Sequence, residues 1–354
     1  MRTLLSVLVL LVSAAVGAEP HPHSAASPQA VHPVHLDSTV TDQAPIGVSA
    51  GRLHGVGSLM VGLRYRVMGM SGLKDGSDDI SQAELFDPEG PYDYSVLPTS
   101  MSTQMVMASA MYTPFRYLTV SAMVPYVFKE MDMITRTGKG FRTRANGVGD
   151  ISLFLTSQWV GAGGLYAQAK MGLSFPSGSI NQQDNTPMSG QSPVQLPYLM
   201  QMGSGTWDLL PSAMVGGSRG RLAWGLRVAG VVRTTTNANG YRFGDIYELT
   251  GWGEWAWTSW LAFSLRLAWQ ETFTIEGYDS RLPANALAMT PSANPDYLGR
   301  KQFDGFVGFQ LLGQRGFFGG YGLALEAGLP LWQATTGPGL SRTFFVTLGV
   351  NRAF

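Results

Sequence analysis

The sequence predicts an all-β protein, a closed antiparallel transmembrane β-barrel of about twelve strands. Three observations carry this. From residue 57 onward, segments of about twelve residues alternate apolar and polar positions, the period of a strand and not of a helix. The connectors between these segments alternate long and short. Charged residues make up only 14% of the chain, against about 25% in ordinary soluble domains, and glycine and aromatic residues are abundant.

The segments, in order, are 57–70, 100–112, 117–131, 147–160, 164–176, 203–216, 221–234, 244–257, 260–274, 300–312, 320–332 and 342–354. A strand of about ten tilted residues crosses a bilayer, and a membrane sheet has to close so that no edge is left unpaired. "WVGAGGL", "GGSRGRL" and "WTSW" are short turns, expected on the periplasmic side; 71–99, 177–202 and 275–299 are long loops, expected outside. Pro125, Pro211 and Pro330 each remove a ladder hydrogen bond, so bulges are expected there.

Two segments precede the barrel. Arg2 before "LLSVLVLLVSAAV", with Val16 and Ala18 at the −3 and −1 positions, reads as a signal peptide over 1–18, cleaved after about Ala18. Its apolar core is shorter than the roughly 20 residues of a spanning helix, and no cysteine follows for a lipid anchor. Residues 19–56 lack any period and read as a flexible, His- and Pro-rich periplasmic segment. His21, His23, His32 and His35 fall within it, and no histidine follows His54. They are either a loose imidazole trap for Cu(II) or part of a solvated leader. Pro20 has no N–H to give to an amino-terminal copper chelate. The expected location is the bacterial outer membrane.

Parity within each strand separates a lipid face from a lumen face. In 260–274, Leu261, Phe263, Leu265, Leu267 and Trp269 share one face, opposite Ser264, Arg266 and Gln270. The same rule turns Arg64, Arg66, Lys129, Lys170, Arg227, Arg233, Glu248 and Glu254 inward. With Glu248 and Glu254 on the strand next to Arg266, the lumen is expected to carry a mixed-sign network with weak ion selectivity.

The stretch "MSTQMVMASAM" places Met101, Met105, Met107 and Met111 on one face, together with Thr103 and Ser109. Neighbouring strands add Met60, Met68 and Met70, then Met123, Met131 and, at the rim, Met133; in each case methionine keeps polar company, which points to the lumen. Flexible thioethers could simply fill a narrow barrel, or converge as stepping sites for Cu(I). A turn centred on Phe115 sets Met107 opposite Met123.

Other chemistry is disfavoured. A barrel hydrolase needs a base of near-neutral pKa, and no histidine lies within the barrel segments. "GVGDIS" and "GSGTW" are glycine-rich without a following helix, so neither is a phosphate loop. Equal counts of acidic and basic residues give no nucleic-acid signature. No cofactor is expected beyond transient copper.

The stretches "YRVMGMSGLKDGSDDIS", "VLPTSMSTQMVMASAMYTPFRYLTVSAMVPYVFKEMDMITRTG", "GVGDISLF", "GLSFPSGSI" and "LPYLMQMGSGTWDLLPSAMVGG" resemble the methionine-rich branch of bacterial outer-membrane transporter-like barrels grouped with the meta-pathway phenol-degradation family. The resemblance covers residues 57 to 354. It implies an outer-membrane, transport-like role, often beside copper-handling genes, while related barrels are thought to pass aromatic or other hydrophobic compounds. Members commonly carry further Met, Asp or His where this chain has Thr103, Gln104 and Val106. "TFFVTLGVNRAF", ending on Phe354, resembles the signal read by barrel-assembly machinery, with Arg352 where an aromatic often stands. The expected partners are therefore outer-membrane lipid, that machinery and a small solute. The solute is copper on one reading and a hydrophobic or aromatic compound on the other; a non-conducting binding barrel is the third.

Overall fold

The computed structural model describes residue 40 and residues 44–48, 55–187, 189, 192–314 and 316–354. Twelve strands form the wall: β1 Leu59–Asp75, β2 Val96–Phe115, β3 Leu118–Thr135, β4 in two pieces (Gly140–Val148 and Ser152–Val160), β5 Leu165–Ser174 and β6 Asp208–Arg219. They continue as β7 Leu222–Arg233, β8 Ile246–Ala256, β9 Leu261–Thr272, β10 Arg300–Leu312, β11 Tyr321–Thr335 and β12 Gly339–Ala353. Each strand pairs antiparallel with its sequence neighbours, and β12 returns to β1 along thirteen paired positions from Met60↔Ala353 to Lys74↔Gly339. The seam ends where Phe354 N–H donates to the Leu59 carbonyl and Leu59 N–H to the Phe354 carbonyl, at 2.8 and 3.3 Å. Closure leaves no edge, which is what hydrocarbon requires of a sheet.

Alternation decides the rest of the wall. Val61, Leu63, Val124, Leu155, Leu226, Leu265 and Val307 point outward and are exposed, while Thr119, Thr156, Gln168, Thr250, Arg266 and Glu326 point in and are buried. Rings collect at the short-turn end, where Tyr112, Phe115, Tyr117, Trp159, Trp255, Trp257 and Trp260 are exposed, as a membrane-interface girdle does. Toward the other end, Trp269 and Trp332 stack at 5.7 Å. Gln104 lies outward among apolar neighbours, and its amide oxygen accepts from the Tyr65 hydroxyl at 2.7 Å. Among the described residues, no helix is long and apolar enough to cross a membrane.

Several expectations need correction. The connectors after the third and eleventh segments are tight hairpin ends, because β3, β4, β11 and β12 run well past the predicted segments. The fourth segment is interrupted at 149–151: β3 pairs with one piece of β4 up to Met123↔Ser152 and with the other from Tyr126↔Val148. Pro125 sits at that interruption, and its carbonyl accepts from Gly149 N–H at 2.9 Å. Pro330 lies beside a register shift, with Phe303↔Trp332 followed by Asp304↔Pro330. Pro211 keeps its register with Met171 and produces no shift.

The long connections fold over the end opposite the short turns. One carries helix α1, Gln82–Phe86, whose N-cap Ser81 forms a capping box with Glu84; another carries helix α2, Ala286–Met289. Their apolar residues join the strand ends in one core containing Leu73, Leu85, Tyr94, Leu97, Met101, Met131, Met200 and Leu340. A second loop core holds Tyr198, Tyr241, Ile275 and Leu282. Asp150 ties the interrupted strand to this cap, accepting from Gly178 N–H at 2.9 Å and Ser204 N–H at 2.7 Å.

Candidate functional site

The signal-peptide expectation and His21, His23, His32, His35 and His54 lie outside the described residues. Part of the segment read as a flexible leader does not: Val40 and residues 44–48 are inside the barrel. Pro45 to Val48 make a turn closed by Val48 N–H donating to the Pro45 carbonyl at 2.8 Å. Val48 is fully buried against Met214 and Trp252, and its carbonyl accepts from Arg227 Nη1 at 2.7 Å. A Cβ on Gly47 would collide with Glu326 Oε1 and Arg266 Nη2, so the turn passes at a point where no side chain fits. Nearer the short turns, Val40 N–H donates to the Ser259 carbonyl at 3.2 Å.

The wall under this turn is ionic on one side. Arg266 and Glu326 pair at 2.6 and 3.0 Å with both side chains almost fully buried, and the guanidinium stacks 3.6 Å from the centre of the Phe306 ring. Arg227 pairs with Glu248 at 2.5 Å, and Thr250 donates to the same carboxylate at 2.7 Å. Arg233 pairs with Asp208, which also accepts from Thr206 at 2.6 Å. Arg342 donates to Gln270 at 2.9 Å and to Gln302 at 2.7 Å.

These pairs correct the expected network around Arg266. Glu248 belongs to Arg227. Glu254 is buried with one oxygen accepting from Gln310 at 3.2 Å and the other without a partner among the described residues. In register, Arg266 lies opposite Trp252, so both acids of β8 are offset from it. Glu326, Asp304 and Arg342 were missed by the sequence reading. The parity signal for Glu326 was present, since it alternates with Leu323 and Leu325 in "LALEAG".

Lys129 is a fastener for the cap: its ammonium donates to the carbonyls of Leu199 at 2.8 Å and Gln201 at 2.5 Å. Arg66 turns its guanidinium to 5.9 Å from the centre of the Phe345 ring. Lys170 lies over the Phe154 ring at 4.0 Å.

The methionines of β1 to β3 divide into two sets. Met70, Met101, Met131 and Met133 are buried in the cap core with Met200 and Met202, and Met68 and Met105 pack against it. Met70 faces Met101 across β1 and β2, and Met101 faces Met131 across β2 and β3, so three thioethers lie in one row. Met200 and Met202 come from a connection, where no strand period marks them, and were missed for that reason. The inner set, Met60, Met107, Met111 and Met123, lines a lumenal cavity of about 200 Å³. Met60 faces Met111. The predicted Met107–Met123 opposition is wrong: Met107 faces Pro125 and Met123 faces Ser109. The strands extend into the turn to Phe115↔Leu118, past a one-residue register shift between Tyr112 and Phe115, so Met107 meets a partner two positions farther along β3 than a turn centred on Phe115 sets.

The cavity lies between the inner methionines, Phe154, Thr156, Gln168, Lys170 and Arg64, with Ala44, Pro45 and Ile46 of the inserted turn on its other side. It is apolar over most of its wall and has two cations. Among the described residues, no group of His, Cys, Asp and Glu is arranged to hold a metal ion.

No family model and no curated protein matches the chain. Among solved structures, the fold is similar to the COG4313 outer membrane channel from Pseudomonas putida F1, with 15% identity and a TM-score of 0.58 over 85% of this chain and 96% of that one. A FadL homologue from Pseudomonas aeruginosa aligns with 9% identity and a TM-score of 0.40, over 84% of this chain and 90% of that one. The TodX deltaS2S3 mutant monoaromatic hydrocarbon channel aligns with 10% identity and a TM-score of 0.41, over 85% and 91%. At 15% identity the likeness to the P. putida channel is one of fold, and the fold of this chain is a closed twelve-stranded antiparallel barrel.

Proposed function

We propose that this protein is an outer-membrane channel for small, largely apolar solutes, which pause in the cavity beneath the inserted turn. The observation that carries the reading is the cavity itself: thioethers and a phenyl ring line a space of about 200 Å³ inside a closed barrel, and an apolar cavity of about 150 Å³ is enough to hold benzene. That the P. putida protein with this fold is described as an outer membrane channel supports passage as the role. Onward movement requires the Pro45–Val48 turn to leave its seat. Binding is tested with purified protein and 4-fluorobenzyl alcohol, read by fluorine NMR. Met107→Trp fills the cavity and is expected to abolish the binding seen with wild type; equal binding by both proteins overturns the reading.

Copper is the second reading, and one observation favours it: the row Met70, Met101, Met131 brings three soft ligands together. The inner methionines support it less, because Arg64 and Lys170 line the same cavity and repel a cation. Replacing Met70, Met101 and Met131 by leucine is expected to remove Cu(I) binding measured by competition with a chromogenic chelator. Unchanged binding rules out the row as the site.

A further inference from the structure

We propose that the lumenal cavity selects monoanions, specifically small ring-bearing carboxylates, with the Lys170 ammonium as the receiving group. This deepens the channel reading and rests on it. The residues around the cavity include two cations, Arg64 and Lys170, and no aspartate or glutamate among the described residues. Three other lumenal cations, Arg227, Arg233 and Arg266, each have a carboxylate of their own. Lys170 has no ion pair or hydrogen bond among the described residues; its one specific contact is the Phe154 ring at 4.0 Å. An ammonium on a ring face engages only part of its three N–H donors there, and the cavity that both residues line offers room for an acceptor to take the others.

The remaining wall suits the other end of such a ligand. Met60, Met107, Met111 and Met123 offer flexible, polarizable surface that adapts to a ring. Thr156 and Gln168 flank Lys170 on the polar side, where a second carboxylate oxygen finds donors. A carboxylate with a ring-sized apolar body is thus matched at both ends, whereas a neutral ring leaves the ammonium unanswered and a small inorganic anion leaves the thioether wall empty.

The test compares 4-fluorobenzoate with 4-fluorobenzamide, equal in shape and different in charge, on full-length protein in non-ionic detergent. Wild type is expected to bind the acid about tenfold tighter, the scale of one charge-assisted hydrogen bond. Lys170→Met is expected to lose that preference and keep its affinity for the amide, and Lys170→Arg to restore the preference. Heat-modifiable gel mobility verifies that each variant is a folded barrel. Equal affinity of wild type for acid and amide overturns the anion site and leaves the apolar-solute channel standing. An acid preference that survives in Lys170→Met also overturns it. Absence of binding of either probe overturns both proposals.

Discussion

The two sides of the lumen solve different problems. On the wall from β7 to β11, arginines meet carboxylates: Arg227 with Glu248, and Arg266 with Glu326. The inserted turn sits there, with Val48 held by Arg227 and Gly47 laid against the Arg266–Glu326 pair. Between the methionines and Phe154 of β1 to β4 and residues of β10 to β12 such as Gln310, Ala324 and Asn351, a space is left, and no carboxylate lines it beside its cations. The contrast shows that charge by itself does not mark a site. Paired charges position the chain that fills the barrel; the open volume lies where the wall carries no acid.

Four experiments probe this contrast. The largest effect is expected from Glu326→Ala, which strands the buried Arg266 guanidinium; losing one partner of a buried pair costs about 3–5 kcal/mol, readable as a lower urea midpoint in tryptophan fluorescence. If the midpoint is unchanged, water in the lumen already carries the charge and the ionic wall is not structural. Next is Gly47→Val. Its side chain overlaps the ion pair, so the turn should be unseated and conductance in planar bilayers should rise several-fold, with the wall intact because the change lies outside the strands. Wild-type conductance in this variant would show that residues 44–48 do not limit the pore.

A smaller effect is expected from the Met70, Met101 and Met131 to leucine replacement. Volume-conserving swaps usually cost under about 1.5 kcal/mol each, so heat-modifiable mobility should persist even if copper binding is lost. A protein that fails to fold would show that thioether flexibility, and not apolar bulk, holds the cap on the strands. The smallest effect is expected at Tyr92, in the loop after β1, where the hydroxyl donates to Asp75 and holds the phenol up at about 12. An unfolded tyrosine titrates near 10, so this contribution is full below about pH 10 and fades as pH rises toward about 12. An ultraviolet titration in which Tyr92→Phe removes a late-ionising phenol checks it; an unchanged curve would mean the contact is absent in solution.

Period and composition are enough to settle the closed barrel, the number of strands and the face of almost every strand residue. A repeat of two, together with the need to satisfy every backbone group in lipid, leaves few alternatives. The same local information turns Arg64, Lys170, Arg227 and the methionines of β1 to β3 inward, because parity needs no knowledge of the neighbouring strand. Which inward residue meets which is a property of the folded wall. Register across a turn depends on how far the strands run into it, and a two-residue difference along β3 gives Met107 Pro125 as its partner and not Met123. Partners on strands distant in sequence, such as Glu326 for Arg266, depend on the curvature that closure imposes. Residues 44–48 carry no strand pattern, so their place in the lumen is set only by the shape of the space and by the arginine and glycine contacts that receive them. The cavity follows from that same placement, since one of its sides is the inserted turn.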